Sequence, residues 1–172
     1  MLTFVTMRSP IGTLRLYAAI DQLVGLCLPD RRAPDGVRRH TPVLDQATSE
    51  LAEYFAGERH EFSLTLAPPG TGFQRLVWDA LLRIPYGETR SYGELARTIG
   101  RPAASRAVGA ANGQNPIAII VPCHRLIGAN GALTGYGGGL DAKRWLLDLE
   151  RAGQERAGRR ARRHRATSAE EC

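Results

Sequence analysis

Within IIVPCHRLIG, residues 119–128, a cysteine stands between a proline and a histidine, directly after three apolar β-formers. An ionised thiol is a strong nucleophile and a neutral imidazole is the commonest biological base, so the pair could do covalent chemistry. Cys123 reads three ways: as a nucleophile, as a metal ligand, or as the small buried side chain that a free cysteine most often is. Ile119, Ile120 and Val121 predict a buried strand that Pro122 ends, which puts Cys123 at a strand end. His124 follows at once, but adjacent residues of an extended chain point to opposite sides, so adjacency alone does not bring its ring to the sulfur.

Three more side chains stand out from their surroundings. Glu150 ends the helical run AKRWLLDLE, where the helix dipole prefers a cation; it is either a solvated helix end or a group held there for a purpose. Lys143, in the same run, is the only lysine beside twenty-two arginines, and so the one readily tunable cation; a salt bridge with Asp141 or a plain surface position is the alternative. Arg106 is the only long side chain in ASRAVGAANG, whose alanines, glycines and serine allow close approach, either to a packed helix or to a DNA groove. A helix that reads base edges needs several long polar side chains, so contact with DNA here would carry little sequence preference.

The elements that must position these groups follow from pattern and punctuation. LTFVTM, TLRLYAA and LVGLCL predict three short strands, with turns at Ser9-Pro10 and Asp21-Gln22, most simply an antiparallel meander. RRAPDGVRRHTP reads as a polar loop and VLDQATSELAEYFAG as an amphipathic helix ending at Gly57, while EFSLTL could add a strand. APPGTG then links to a helical half. Phe73, Leu76, Val77, Ala80, Leu81 and Ile84 recur at helical spacing. SYGE places Ser91 as N-cap and Glu94 three residues on, a capping box that opens a second helix ending at Gly100. With the small-residue run after RPA it makes a helix-turn-helix candidate, a pattern that many merely packed helix pairs share.

Length and charge set the frame. The 172 residues suffice for one domain or two small ones sharing an interface. No apolar stretch approaches the roughly 20 residues of a membrane span, and the start lacks a secretory pattern, so a cytoplasmic location is expected. Three cysteines without CxxC spacing give neither a disulfide framework nor a zinc site. Cys27, His40 and His60 do not form a convincing ligand set, and no phosphate loop or dinucleotide motif is present, so no metal and no cofactor are expected. The net charge of +6 is concentrated at the end, where seven arginines after residue 150 face only Glu155, Glu170 and Glu171. Residues 153–172 have almost no large apolar side chains and are expected to be a disordered or frayed helical tail; loose nucleic-acid binding and a solvated end without a role weigh equally.

The blocks SYGELA, SRAVGAANGQNP, IIVPCHRLIG and GALTGYGGGLDAKRWLLDLE, in this order, resemble the signatures of the O6-alkylguanine-DNA alkyltransferases, the methylated-DNA-protein-cysteine methyltransferases. The likeness runs from about Phe73 to Glu150; earlier residues match only in layout, and the tail matches nothing recognised. The resemblance implies an α+β protein. Residues 1–67 would be a small α/β domain, an antiparallel sheet plus helix like ribonuclease H. Residues 68–152 would be a mostly helical domain with a winged helix-turn-helix.

The resemblance also implies the chemistry. Cys123 would take an alkyl group, typically methyl, from O6 of guanine or O4 of thymine, once and irreversibly, after the base is flipped out of duplex DNA. Glu150, His124 and a water would form the relay that activates the thiol, with Lys143 steadying the site and Tyr92 protonating the departing guanine. DNA would be met through the minor groove by Ser91, Tyr92, Arg106, Ala107, Gly109 and Arg125, Arg106 filling the gap in the stack. Asn115, Val121, Pro122, Tyr136, Gly137 and Gly138 would line the pocket. Gly137-Gly138-Gly139 departs from the family's usual serine-glycine-glycine, which removes a hydroxyl from the pocket wall. The partner the resemblance implies is double-stranded DNA carrying O6-alkylguanine, which a monomer would bind, with cooperativity along DNA left open.

Overall fold

The computed structural model describes residues 1–170, so Glu171 and Cys172 lie outside the description. Strands β1 (Thr3–Ser9), β2 (Gly12–Ala19) and β3 (Gln22–Cys27) form the expected antiparallel meander, with tight turns where Ser9 pairs Gly12 and Ala19 pairs Gln22. Leu14, Leu16 and Ala18 alternate onto the core face of β2, as the two-residue period requires. Two short segments differ from expectation. Within the polar loop, β4 (Val37–Arg38) pairs parallel with β1, giving the sheet order β3-β2-β1-β4. EFSLTL is not a strand; it touches β3 only at the Leu23–Leu66 bridge, because Pro68 and Pro69 follow and have no N–H to continue a ladder.

Helix α1 (Pro42–Phe55) starts where the Thr41 hydroxyl accepts from Leu44 N–H, and it buries Leu44, Ala47, Leu51 and Tyr54. Helix α2 (Gly72–Leu82) opens on a capping box of Thr71 and Gln74. Strand β5 (Arg90–Ser91) leads into α3 (Tyr92–Thr98), whose start is the Ser91–Glu94 capping box legible in SYGE. Helix α4 (Ser105–Gly113) packs on both α2 and α3. Its buried side is Val108, Ala111 and Asn112, which leaves Arg106, Ala107 and Ala110 exposed on the other. One continuous hydrophobic core runs from β2 and α1 through α2 and α4 to Leu146.

The stretch expected as a strand before Cys123 is a buried turn. Its only ladder contact is Ile117 with Leu26 of β3, after which residues 118–120 turn, Ile119 adopting a left-handed φ of 71°. That conformation is strained for a β-branched residue, and the surroundings hold it. Asn115 supplies the restraint: its Nδ2 donates to Val121 O at 2.9 Å and its Oδ1 accepts from Ile117 N at 3.0 Å. The chain then enters a 3-10 turn over Cys123–Arg125 and the two-residue β6 (Leu126–Ile127), parallel to β5.

Helix α5 runs from Leu140 to Glu170, so residues 153–170 continue a helix rather than lying disordered. Alanine, arginine, glutamine and glutamate favour helix, and a folded turn at the start of this segment nucleates the rest. Gly153 is buried, and a Cβ there would collide with the Tyr86 ring, so the helix passes close to the body of the protein beyond residue 152.

Candidate active site

Cys123 is 6 % exposed at the wall of a cavity of about 590 Å³. The cavity lies between the two halves of the chain, with Tyr17, Leu26 and Leu28 on one side and Asn112, Asn115, Tyr136 and Gly137 on the other. Burial pushes the thiol pKa up, against the opposing pull of the Asn115 amide and the Lys143 cation. The sulfur is therefore protonated at rest, and its activation needs a base that acts during the reaction.

The 3-10 turn carries the next side chain, the imidazole of His124, inward. His124 is wholly buried, with Nε2 2.7 Å from Glu150 Oε1. Burial lowers its pKa despite the neighbouring carboxylate, so the imidazole is neutral near pH 7. An ionised Glu150 can only accept, which places the ring proton on Nε2 and leaves Nδ1 with a free lone pair. Nδ1 is buried and has no hydrogen-bond partner among the described residues.

Glu150 stays ionised because it is densely paired. Burial alone would raise its pKa, but His124 and Arg125 together hold it far below the usual carboxylate range. Arg125 donates twice, Nε to Oε2 and Nη2 to Oε1, each at 2.9 Å, while Tyr54 O–H donates to Oε1 at 2.7 Å and Gly87 N–H to Oε2 at 3.3 Å. The expected DNA contact of Arg125 is thereby corrected. The 3-10 turn swings its side chain into the core, where its third nitrogen also donates to Ile84 O at 2.7 Å. Its charge cancels that of Glu150, so His124 has no need to be protonated for local neutrality.

Lys143 is likewise fully buried, neither at the surface nor paired with Asp141, whose partner is Arg144. Its ammonium donates to Leu126 O at 2.6 Å and Thr134 O at 2.9 Å, tying the segment after Cys123 to the loop before α5. The Thr134 hydroxyl lies 2.8 Å from Tyr92 O–H, so Lys143 and Tyr92 hold the same residue. Tyr92 stands at the start of α3, and its ring faces Gly109 of α4. Ser91 is occupied as the helix cap, and Arg106 and Ala107 are exposed on the outer side of α4. Pro122 lines a smaller cavity behind the turn, with His60, Tyr86 and Arg125, and Val121 is fully buried.

Sequence reasoning missed Tyr54, Asn112 and Thr134. Tyr54 lies on the buried face of α1, where the signal available in the sequence is its hydroxyl, which a buried tyrosine must satisfy. Asn112 donates to Cys123 O at 3.4 Å and leaves Oδ1 unpaired. The described residues hold three buried side-chain polar atoms without a partner: Asn112 Oδ1, His124 Nδ1 and Tyr136 O–H. Each belongs to Cys123's immediate neighbour in sequence or to a residue lining its cavity. The other candidate ligands are scattered, His40 on Asp45 at 2.6 Å and His60 stacked on Tyr86, and the described residues contain no group of three metal-binding side chains. No helix among them is long and apolar enough to cross a membrane.

A buried thiol beside a neutral histidine, itself oriented by an ionised carboxylate, is the arrangement of a protein that uses cysteine as a nucleophile. Residues 2–68 match the model of the 6-O-methylguanine DNA methyltransferase ribonuclease-like domain, and residues 72–152 that of the same family's DNA-binding domain. The methylated-DNA--protein-cysteine methyltransferase of Mycobacterium bovis is 53% identical over 155 residues, covering 88% of this chain and 94% of its own length. Its counterpart in Methanosarcina acetivorans is 61% identical over 117 residues, covering 68% and 75%. A crystal structure of Mycobacterium tuberculosis OGT in complex with DNA superposes with a TM-score of 0.84 at 52% identity, covering 88% of this chain and 94% of that one. The chain belongs to the 6-O-methylguanine DNA methyltransferase family.

Proposed function

We propose that this protein repairs duplex DNA by moving an alkyl group from O6 of guanine, and from O4 of thymine, onto Cys123, once per molecule. The observation that carries this reading is the gathering of the buried, unpartnered polar atoms around Cys123. Leaving such an atom unpaired costs about 1–3 kcal/mol, and two of the three belong to residues that line the cavity beside Cys123, which suits it to a polar ligand. Its volume is of the size that holds a small molecule or a single extrahelical base.

In the reaction, His124 Nδ1 takes the thiol proton through a water while Glu150 holds the ring by Nε2–H. The sulfur attacks the alkyl carbon, the C–O6 bond breaks as the C–S bond forms, and the departing guanine gains one proton for the one the thiol gives up. Tyr92 supplies that proton, kept in place by Thr134 and Lys143. S-alkylcysteine has no leaving path, so the reaction stops after one turn. The duplex is met through its minor groove by α3 and α4. The small residues exposed on α4 allow close approach and read little sequence, and Arg106 fills the stack left by the flipped base. Asn115 and Tyr136 shape the pocket with Gly137 and Gly138.

The test is to mix the protein with a duplex containing O6-methylguanine and weigh its peptides. One methyl on Cys123 per molecule, absent in Cys123→Ser, is the expected result. Repeated turnover, or an unmodified Cys123 despite binding, sinks the proposal.

A further inference from the structure

One side chain at the cavity mouth is used by none of this chemistry. Arg31 follows β3 in the loop toward β4, and its backbone N–H donates to Leu28 O at 3.3 Å. Its guanidinium reaches across the cavity: Nη2 donates to Gly113 O, the last residue of α4, at 3.2 Å. The same group occupies the space beside Gly137. A Cβ placed on Gly137 would stand 3.0 Å from Cζ, 3.1 Å from Nη1 and 3.2 Å from Nε, tighter than side chains ordinarily pack. Next to it, a Cβ on Gly138 would come within 2.9 Å of Leu28, so both glycines sit directly under the β3 loop. Arg31 thus touches three separate parts of the wall that encloses Cys123, and its charge is felt at both Cys123 and Tyr136.

We propose that Arg31 is a specificity-determining clamp: it joins the end of α4 to the glycine loop across the cavity mouth and limits the size of O6 substituent that reaches Cys123. The inference rests on the alkyl-transfer reading above and adds the residue that sets its substrate range. The argument is steric. The mouth is bounded by a planar group that fills the space beside Gly137 on one side and is held by a hydrogen bond to Gly113 O on the other, so a bulky substituent must displace it. Gly137 is bare because the guanidinium occupies the space of its side chain. Alanine at Gly137 should therefore push Arg31 aside without a backbone penalty, since the φ of Gly137 is not in the left-handed region.

The experiment compares single-turnover transfer to Cys123 from two duplexes, one carrying O6-methylguanine and one O6-benzylguanine. Arg31→Ala is expected to raise the benzyl-to-methyl rate ratio about tenfold, the discrimination that a modest steric change at a pocket wall produces. Gly137→Ala should raise it in the same direction, and adding Arg31→Ala to Gly137→Ala should change it little further. A ratio within twofold of the parent in Arg31→Ala, or full additivity of the two substitutions, overturns the clamp. If the parent protein leaves Cys123 unmodified by O6-methylguanine, the repair reading fails instead, so the two failures are separable. Arg31 is exposed in a loop, and equal melting of parent and variant guards against a folding artefact.

Discussion

Glu150 has one negative charge and four partners, and the partners do different jobs. His124 receives orientation from it, while Arg125 gives it a counter-charge in two aligned bonds, a geometry in which arginine outperforms lysine. Removing Arg125 would leave a carboxylate in the core with its charge uncancelled, and breaking one side of a buried pair costs about 3–5 kcal/mol. Arg125→Met is therefore expected to lower the urea-unfolding free energy by about 3 kcal/mol. It should also raise the pKa of His124, because the neighbouring carboxylate would then be balanced only by the ring; NMR titration of the imidazole reads this directly. An unshifted His124 would mean that Arg125 has no part in keeping the imidazole neutral. Tyr54→Phe removes a single hydrogen bond to the same carboxylate and should cost about 1 kcal/mol.

At the scale of elements, the site is built on one turn and two helix ends. Residues 115–123 cannot be a strand because the chain must reverse inside the core, and every reversal there leaves backbone groups that need partners. Asn115 serves two of them, so Asn115→Ala is expected to destabilise by about 2 kcal/mol and to disorder the approach to Cys123. Arg106, exposed at the start of α4, should behave oppositely: Arg106→Ala leaves stability unchanged but slows repair in duplex DNA more than reaction with the free alkylated base. Equal losses on both substrates would remove it from the stack. These cases mark what sequence reveals. The capping box at Ser91 and the meander of β1–β3 are local patterns, and they were legible. Ile119, Ile120 and Val121 have strand propensity, but tertiary restraint by Asn115 overrides it. Arg125 is expected at the DNA from the resemblance alone, and nothing in the order PCHR says which way a 3-10 turn will aim it.

Across the whole molecule, the hydrogen-bonded network around Glu150 belongs to neither half alone. Tyr54 reaches Glu150 from α1, Leu26 of β3 bridges Ile117 before the cysteine turn, and Leu28 sits over the glycine loop. Stability and the protonation state of the site are consequently linked. His124 has a folded pKa below its ordinary value near 6.5, so as pH falls through that value the unfolded chain binds more protons than the native one. Its contribution is present above the unfolded pKa and is lost as pH falls toward the folded one. Glu150 has the same sign: its depressed pKa contributes stability above the ordinary carboxylate range, and this is lost as pH falls through and below it. The urea midpoint should therefore fall continuously from about pH 7 to about pH 4, without the plateau expected where only carboxylates titrate. His124→Gln should flatten the upper part of that curve, between about pH 7 and 5, and leave the lower part steep. A parent curve that is flat down to pH 5 would show that His124 is not held neutral in the fold, and the base of the proposed reaction would have to be sought elsewhere.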